Sequence, residues 1–363
     1  MIPCASLTIQ GQIVAFDQIR TFAADSMTLK TTPGWKKEVF SFLLQWFNDS
    51  DHIVQHSSGT TGTSKEIVLS KQSMLASAEA TCRYFGLQPG NNALLCLPVK
   101  YIAGKMMVVR ALAGGLNLLL TEPGSQPQLP EKTDVHFAAM VPLQVLNLLG
   151  SRMSLQFVKK LIIGGAEIAP ELEMKMQCLT TEVYATYGMA ETCSHIAMRR
   201  INGPNPEKNY VALPDIAIAC DTRGCLVIDA SYLPRPVVTN DLVELTGPGS
   251  FRWVGRFDNL INSGGIKIVP EELETLIAES TGLVCAVIGM PDDRLGQCLT
   301  LISEKNEKFT NSSEVMQALR KILTRNLMPK QILWVEKFPR NDFYKINRLK
   351  LVEMASVISE GQQ

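Results

Sequence analysis

The sequence predicts an α/β protein with two domains, and three observations lead to this prediction. The chain has 363 residues, 46% hydrophobic and 19% charged, which suffices for a large core and a smaller second one. From residue 53 to about 230, short apolar strands alternate with helix-length segments, which is typical of βαβ units and a mostly parallel sheet with flanking helices. Near residue 255 this alternating pattern of the sequence changes. We therefore expect a large domain over residues 1–257 and a small, mobile α+β domain over residues 258–363.

The helices of the large domain are predicted from periodicity and end signals. Between residues 70 and 86, apolar residues recur at helical spacing, and Ser70 is placed to cap the helix N-terminus. The segment "AGKMMVVRALAGG" predicts a second helix that ends at Gly114 and Gly115. The buried strands predicted around these helices cover residues 93–98, 116–123, 135–142, 160–166 and 182–188.

The small domain has apolar faces of its own. A glycine-rich turn precedes Pro270, which stands at a predicted helix start with Glu271, Glu272 and Glu274 in its first turns, where acids complement the helix dipole. The remaining predicted elements are strands over 283–291, 297–304 and 330–339 and an amphipathic helix over 312–328.

Composition excludes several function classes. The formal net charge is zero and no long Lys/Arg block occurs, so nothing marks a nucleic-acid or anionic-membrane surface. The nine cysteines are scattered without zinc-ligand spacing, which fits reduced thiols in a cytoplasmic protein. We find neither a signal-peptide pattern nor an apolar run of the ~20 residues that span a bilayer. We therefore expect the protein to act on small molecules. The composition leaves open whether it forms a homo-oligomer.

The stretch "HSSGTTGTSKEIVLS" (56–70) carries the first chemical motif. Hydroxyls, glycine N–H groups and one ammonium, set between two β-branched segments, are suited to hold a polyphosphate. It is not the familiar P-loop, because Gly59 and Gly62 are too close together and Lys65 is not preceded by glycine. Taken alone, the stretch is equally compatible with a polar hairpin, since Gly, Ser and Thr dominate turns.

Further motifs follow in a fixed order, and together they are specific where each alone is weak. They read "LPVKYIAG" (97–104), "IIGGA" (162–166), "YGMAET" (187–192), "TND" (239–241), "GRFDNLINSGGIKIVPEELE" (255–274) and "PRNDFYKINRLK" (339–350). From about residue 53 to 350, this series resembles the adenylate-forming superfamily of acyl- and aryl-CoA ligases. Within the superfamily it is most similar to the o-succinylbenzoate–CoA ligase family of menaquinone biosynthesis, in its short form. The resemblance implies the adenylate-forming fold, abbreviated at the N-terminus.

The resemblance also implies roles for individual residues. Glu191 would bind Mg²⁺, Asp258 would be the hinge between the domains, and Lys345 would be the catalytic lysine, whose ammonium stabilises charge as the carboxylate attacks phosphorus. ATP phosphates would be held by Ser57, Ser58, Thr60, Thr61, Gly62 and Lys65. Adenine and ribose would be held by Gly164, Gly165, Ala166, Thr186, Tyr187, Gly188, Asp241 and Arg256. Gly264 and Gly265 would line the path of coenzyme A, and Arg348 and Lys350 are alternatives to Lys345.

The acyl pocket is predicted from the same motifs. The predicted pocket residues lie in motifs that border the acid substrate in relatives, and they are Tyr101, Lys105, Ser194 and His195. Lys105 stands in an otherwise apolar stretch, where a substrate carboxylate is one partner for its charge and a snorkelling side chain is the alternative. His195 is interpreted as a core or rim histidine, because adenylation needs no base.

The implied activity is an AMP-forming acid–thiol ligase that uses ATP, Mg²⁺ and CoA, with o-succinylbenzoate as the best candidate acid. Alternatives are a ligase for another aryl or short-chain acid, an adenylation domain that serves a carrier protein, and a catalytically degenerate nucleotide-binding homologue. The last is motivated by departures from the family pattern. Most relatives have threonine at Ala190 and glycine at Asn240 and Tyr344, and they carry more chain before the phosphate loop.

Overall fold

The structure is a computed structural model that describes residues 5–57, 65–151, 155–305, 309, 311–340 and 346–360. The chain divides into two compact units. The first unit comprises Met1–Ile218 and Ile228–Val237, and the second comprises Ala219–Val227 and Val238–Gln363. Within the described ranges, no helix combines the length and the apolar character that a membrane crossing requires.

The first unit contains the predicted alternation of strands and helices. Its strands are β1 (Ser6–Ile9), β2 (Gln12–Ala15), β3 (His52–Ser57), β4 (Lys65–Ser70), β5 (Asn92–Leu95), β6 (Asn117–Leu120), β7 (Val135–Met140), β8 (Val158–Ile163), β9 (Glu182–Gly188), β10 (His195–Arg200) and β11 (Tyr210–Ala212). Its helices are α1 (Ile19–Thr28), α2 (Gly34–Trp46), α3 (Lys71–Phe85), α4 (Ile102–Gly114), α5 (Pro142–Leu149) and α6 (Pro170–Met176).

The centre of the main sheet is parallel, as predicted. Strands β6, β5, β7, β8 and β9 are neighbours in that order, and each adjacent pair runs parallel. On one side of this centre, β1 pairs parallel to β6 and β2 pairs antiparallel to β1. On the other side, the antiparallel strands β10 and β11 follow β9. The carboxyl ends of β7, β8 and β9 therefore meet at one edge, where ligands bind in open α/β sheets.

Helices α3 and α4 have the predicted ends. The Ser70 hydroxyl caps α3 by accepting a hydrogen bond from Ser73 N, and α3 ends at Gly86, whose φ of 60° is left-handed. Helix α4 ends at Gly115 with φ 62°. Almost all of α4 is buried, which explains why its sequence is apolar on every side.

The alternation of strands and helices ends earlier than predicted, at β9 instead of about residue 230. From there to residue 256 the described elements are β10 and β11, one short 3₁₀ turn (Ala190–Thr192), and the strands β12 (Ile216–Cys220), β13 (Cys225–Ala230), β14 (Val237–Gly247) and β15 (Ser250–Arg256). Strands β14 and β15 are antiparallel and joined by a tight turn. Antiparallel neighbours need no crossover helix, so the helical spacing disappears from the sequence.

The second unit also contains a smaller sheet. The strands of this sheet and the helices in the same part of the chain are β16 (Ile261–Ser263), β17 (Ile266–Ile268), α7 (Pro270–Thr281), β18 (Cys285–Asp292), β19 (Gly296–Glu304), α8 (Ser312–Leu319), β20 (Gln331–Val335) and α9 (Arg348–Glu360). The strand order is β17-β16-β19-β18, and β20 pairs parallel to β19. Pro270 is at the first turn of α7, as predicted.

The helix predicted over 312–328 is shorter in the structure. Helix α8 ends at Leu319, and a separate 3₁₀ turn covers Arg325–Leu327. Beyond Leu319, Lys321 N and Ile322 N donate to carbonyls three residues back, at 3.2 and 3.1 Å, so the regular series of α-helical hydrogen bonds is interrupted there.

Each unit has its own buried apolar clusters. One cluster of the first unit runs from Leu7 to Leu213 and fills the space between the main sheet and its helices. Two clusters of the second unit consist of residues between Ile261 and Ala355.

Candidate active site

The predicted phosphate loop joins the two strands of an antiparallel hairpin. Strands β3 and β4 pair along their full length, and Ser57 is the Cα partner of Lys65. Both ends of the loop are thus held side by side. Four of the predicted phosphate ligands, Ser58, Thr60, Thr61 and Gly62, and the side chain of Ser57 lie outside the described residues.

The side chain of Lys105 bonds to strand β3 of this hairpin. Its ammonium donates to Gln55 Oε1 at 2.8 Å and lies 3.5 Å from the Val54 carbonyl, so it bonds neutral oxygens of β3. Gln55 in turn donates to the carbonyls of His56 and Lys100 at 2.8 and 3.1 Å. Burial lowers the pKa of Lys105. The side chain is buried, so it does not snorkel to solvent.

The outer side of Lys105 borders a cavity of about 430 Å³. The residues that line it include Phe42 and Val99 together with the charged residues Lys37, Glu38 and Lys100. Neither Ser194 nor His195 is among the residues that line this cavity. Lys105 therefore has different surroundings from Ser194 and His195, two of the three other predicted pocket residues.

Tyr101 occupies the position just before α4. Its carbonyl accepts the bond from Lys105 N at 3.1 Å, and the Lys100 ammonium lies 4.8 Å from the centre of its ring. The ring is partly exposed. It is therefore accessible to a ligand at the start of the helix.

The glycines predicted to form the adenine slot lie at the carboxyl end of β8. A Cβ added to Gly164 would lie 2.4 Å from Thr186 Oγ1 on the neighbouring strand β9, so any larger residue there would displace the Thr186 side chain. Gly165 has φ +86°, which favours glycine as well. The structure therefore brings Gly164, Gly165 and Thr186 together, with Ala166 following in the chain. Small residues at this edge leave room for a planar base.

Gly188, at the end of β9, pairs with His195 of β10. A Cβ on Gly188 would lie 2.3 Å from the Ser194 carbonyl oxygen, so the two backbones approach as closely as glycine permits. The ring of Tyr187 lies 6.0 Å from that of Tyr210 on β11. This close pairing determines where the turn between β9 and β10 stands.

That turn carries Glu191. Ala190–Thr192 form one 3₁₀ turn, which the Thr192 hydroxyl supports by accepting from Met189 N at 3.1 Å and donating to the Ser194 carbonyl at 2.7 Å. Strand β4 of the phosphate hairpin contacts this turn. The structure thus brings strand β4, which follows the phosphate loop in the chain, close to the turn that carries Glu191.

The residue after the turn is strained. Cys193 has φ +65°, a left-handed conformation that is rare for a residue with a side chain. Such strain persists only where the surrounding structure enforces it, and it often marks functional sites. Here it orients the next two residues, Ser194 and His195.

Ser194 and His195 contact a residue that the sequence analysis missed, Arg110 of α4. Arg110 Nη2 donates to Ser194 Oγ at 2.5 Å and lies 3.5 Å from His195 Nδ1. His195 Nε2 lies 3.3 Å from the Thr81 hydroxyl. Burial, with the Arg110 charge beside it, holds the pKa of His195 well below its usual range. The sequence does contain a signal for Arg110: it is a charged residue within the apolar stretch "MMVVRALAGG". Lys105 was singled out by the same kind of signal.

In the second unit, Asp241, Arg256 and Asp258 form one ion-pair network. Asp241 and Arg256 are Cα partners on β14 and β15, and Arg256 donates to Asp241 Oδ1 at 3.4 Å and to Asp258 Oδ2 at 2.7 Å. Burial alone would lower the pKa of Arg256, but the two carboxylates raise it. Asn240 also donates to Asp258, at 3.0 Å. The predicted ribose pair and the predicted hinge are therefore linked.

Gly264 and Gly265 form the two-residue loop between β16 and β17. Their φ values are +60° and +84°, and positive φ at both positions is what a tight hairpin of this length requires. This structural demand accounts for the two glycines. Lys345, the predicted catalytic lysine, and Tyr344 lie outside the described residues.

No protein-built metal cage is needed for the predicted chemistry. Across the described ranges, no group of three or more His, Cys, Asp or Glu side chains is arranged to hold a metal ion. Magnesium is commonly bound by one or two carboxylates together with substrate phosphates, and the partly exposed Glu191 beside the phosphate hairpin fits that pattern.

The fold and this arrangement define the class of the protein. A family model described as AMP-binding enzyme matches residues 24–233, and the chain belongs to this family. Its fold is that of the adenylate-forming enzymes, as the motifs predicted.

More particular similarities point in one direction. The chain is 24% identical to a 2-succinylbenzoate–CoA ligase of Staphylococcus epidermidis, over 86% of this chain and 76% of that relative. It is 27% identical to the enzyme of that name from Listeria monocytogenes serotype 4b, over 97% and 80%. Among solved structures, an acyl-CoA synthetase (AMP-forming)/AMP-acid ligase II-like protein from Dyadobacter fermentans is 33% identical, with a TM-score of 0.61 over 93% of this chain and 98% of that one.

Proposed function

We propose that this protein is an AMP-forming acid–thiol ligase that joins o-succinylbenzoate to coenzyme A. The observation that carries the proposal is the contact of the phosphate hairpin with the Glu191 turn. It supports the proposal because strand β4, which follows the hydroxyl- and glycine-rich loop in the chain, contacts the turn that carries Glu191. Such a loop and a carboxylate are suited to bind Mg²⁺ and polyphosphate together. The acid is chosen because relatives named 2-succinylbenzoate–CoA ligase match most of the chain.

The reaction has two steps. A carboxylate oxygen of the acid attacks the α-phosphorus of ATP, a P–O bond forms, the bond to the bridging oxygen breaks, and pyrophosphate leaves. The sulfur of CoA then attacks the carbonyl carbon of the acyl-adenylate, the thiol proton passes to solvent, and AMP leaves with both electrons of the C–O bond. Activation is needed because a carboxylate is an inert acyl donor.

The proposed roles of the residues follow from their positions and from the family resemblance. The 57–65 loop and Lys65 hold the β- and γ-phosphates, and Glu191 binds Mg²⁺. Lys345 contacts the attacking carboxylate and the α-phosphate, where an ammonium offsets the charge that develops during attack. Adenine occupies the slot at Gly164 and Thr186, which lies at the ligand-binding edge of a parallel sheet.

We further propose a division into an adenylation domain over residues 1–257 and a lid domain over residues 258–363. Asp258 is the proposed hinge, since its backbone can absorb a rotation of the lid between the two steps. The hairpin loop at Gly264 and Gly265 then passes close to the pantetheine arm of CoA. A cytoplasmic location, where ATP and CoA are available, belongs to the same proposal.

The test is an end-point assay with ATP, Mg²⁺, CoA and a panel of acids that includes o-succinylbenzoate. AMP, pyrophosphate and thioester are resolved by mass. The assay is run beside Lys345→Ala and a matched control, Lys350→Ala, which removes an exposed lysine five residues away. We expect thioester from o-succinylbenzoate, loss of at least about two orders of magnitude in adenylation for K345A, as for other electrostatic catalytic groups, and little change for K350A.

Each other result has a definite meaning. Thioester formed only from a different acid would support the proposed ligase activity and contradict o-succinylbenzoate as its substrate. Binding of ATP without AMP from any acid would favour a degenerate nucleotide-binding homologue. Full activity of K345A would show that Lys345 is not the catalytic lysine and that another lysine has this role.

A further inference from the structure

Asp258, the proposed hinge, has its side chain bonded to the two strands that precede it in the chain. Asn240 of β14 donates to Asp258 Oδ1 at 3.0 Å, and Arg256 of β15 donates to Asp258 Oδ2 at 2.7 Å. Both carboxylate oxygens therefore have a partner, although 44% of the side chain is exposed. Bonds of this kind restrain a backbone that a hinge has to turn.

The amide of Asn240 has one orientation that suits both of its neighbours. Arg223 Nη1 donates to Asn240 Oδ1 at 2.9 Å, and a guanidinium can only donate. The NH₂ group of Asn240 is therefore directed at Asp258, whose carboxylate accepts. Arg223 is held in turn by Asp221, which accepts from its Nε at 2.8 Å, and its guanidinium carbon lies 5.1 Å from the ring centre of Phe257.

The residue after the hinge is bonded to a different element. Asn259 Nδ2 donates to Oε1 of Glu271 on α7 at 2.5 Å, and Glu271 is buried. Neighbouring side chains are thus tied to β14 and β15 at Asp258 and to α7 at Asn259. The chain between these two attachments is the place where a rotation can occur. Because φ precedes the side chain, a change of φ at Asp258 moves its carboxylate away from Asn240.

We infer that Asn240 is a positioning residue for the hinge, which favours the Asp258 conformation of this structure over the one that the other step of the reaction requires. This inference rests on the proposed function, since it needs two steps and a lid that turns at Asp258. Glycine, which the family pattern has at this position, makes no such bond. Asn240 restrains the hinge and takes no part in the chemical steps.

The experiment compares the wild type with Asn240→Gly and Asn240→Asp, all as the full chain. N240D keeps an acceptor for Arg223 and replaces the donor to Asp258 by a second carboxylate, so it removes the hinge bond alone. The matched control is Thr246→Ala. It removes an exposed hydrogen bond to Ser250 at the far end of the same pair of strands.

The first measurement is amide hydrogen exchange, which does not depend on activity. Leu260 N donates to the Phe257 carbonyl at 3.3 Å in the turn that contains the hinge. We expect exchange at residues 257–260 to be roughly 3- to 10-fold faster in N240G and N240D, the usual effect of one hydrogen bond. Exchange in β18 and β19 stays at the wild-type rate, and T246A matches the wild type throughout.

The second measurement separates the two steps by rapid quench. Adenylation is followed with ATP, Mg²⁺ and o-succinylbenzoate, and thioester formation is followed after CoA is added to the enzyme-bound acyl-adenylate. Because the Asn240 bond favours one hinge conformation, its loss changes the ratio of the two rates by roughly 3- to 10-fold, in the same direction for both variants. The Kd of ATP changes less than about 3-fold, since the bond involves no group that contacts ATP.

Two results would overturn the inference. One is wild-type exchange at residues 257–260 in both variants. The other is an unchanged ratio of the two rates, including the case in which both steps slow by the same factor, as a purely structural role predicts. Failure of the proposed function is distinguishable from both. Faster exchange at the hinge of the variants, with no AMP or thioester from any acid in the wild type, would refute the ligase and leave Asn240 as a restraint on Asp258.

Discussion

At the scale of single residues, the site depends on positions where the backbone is closely packed or strained. Gly164 and Gly188 stand where a Cβ would overlap a neighbouring strand, and Cys193 holds a left-handed backbone between Glu191 and Ser194. Each lies at the same edge of the main sheet. The backbone there is packed as tightly as a side-chain core, so small substitutions have large effects.

The first prediction concerns Gly188→Ala. The added Cβ would lie 2.3 Å from the Ser194 carbonyl oxygen and 2.5 Å from the Cα of His195, and neither backbone atom can rotate away. We expect a loss of about 2 kcal/mol in the free energy of unfolding, measured in urea, together with weaker ATP binding. Gly124→Ala is the control, because nothing lies within 4 Å of its added Cβ. Equal stability of the two variants would contradict the strand contact.

The second prediction concerns the pH dependence contributed by His195. Its pKa is held well below 6.5 in the folded state by burial and by Arg110, whereas in the unfolded chain it titrates near 6.5. Below pH 6.5 the unfolded state therefore binds a proton that the folded state does not, and stability falls as the pH falls, by up to about 1.4 kcal/mol per unit.

Comparison of the wild type with His195→Asn isolates this contribution. Between pH 6.5 and 5, the unfolding free energy of H195N is expected to fall less steeply, by about 1 kcal/mol per unit. Urea denaturation at each pH gives the two slopes. Parallel slopes would mean that His195 accepts a proton in the folded protein.

At the scale of elements, an ion-pair network ties together α7, β18 and α9 of the second unit. Arg348, at the start of α9, donates to both carboxylate oxygens of Glu274 at 2.8 and 2.7 Å and to the Val287 carbonyl at 2.9 Å. Val287 N donates to Glu274 Oε1 at 2.6 Å. Burial raises the pKa of Glu274 to about 7, while Arg348 opposes that shift. The carboxylate thus depends on Arg348 for its charge.

The third prediction follows from this dependence. Arg348→Met leaves Glu274 buried without its partner, and we expect a loss of about 3 kcal/mol in unfolding free energy. The double variant R348M/E274L recovers part of it, because two apolar side chains replace the pair. The control is Arg252→Met, whose side chain is 46% exposed beside a 60% exposed Glu244, with an expected cost below about 1 kcal/mol. Similar costs for R348M and R252M would show that the network adds no more than a surface pair.

At the scale of the whole molecule, the buried clusters indicate where the chain can be divided. The first unit's cluster ends at Leu213, and both clusters of the second unit begin beyond residue 260. A region with its own core can fold alone.

The fourth prediction is that a fragment of residues 258–363 folds independently. Its amide NMR spectrum should be dispersed, and its thermal unfolding should be cooperative. A longer fragment, residues 238–363, adds β15 and most of β14 and serves for comparison. Folding of only the longer fragment would transfer the domain boundary from residue 258 to residue 238.

Local patterns in the sequence were enough to predict much of this molecule. The parallel strands β5–β9, the Ser70 cap, the glycine that ends α4 and the Pro270 helix start are all signalled within a few residues, because periodicity and capping act over one or two turns. The ordered motifs predicted the family in the same way. The stop of α8 at Leu319 was not predicted, since nothing in its amphipathic pattern marks that end.

Tertiary structure decided which side chains meet. Arg110 and Ser194 are 84 residues apart, and Arg348 and Glu274 are 74 apart, so no local pattern connects either pair. Lys105 and Arg110 look alike in the sequence, as single cations in an apolar helix. Lys105 bonds to strand β3 of the phosphate hairpin, whereas Arg110 bonds to Ser194 and its Nε–H has no partner among the described residues. The difference arises because residues five apart on a helix face different neighbours, and the identity of those neighbours depends on how strands from distant parts of the chain pack around α4.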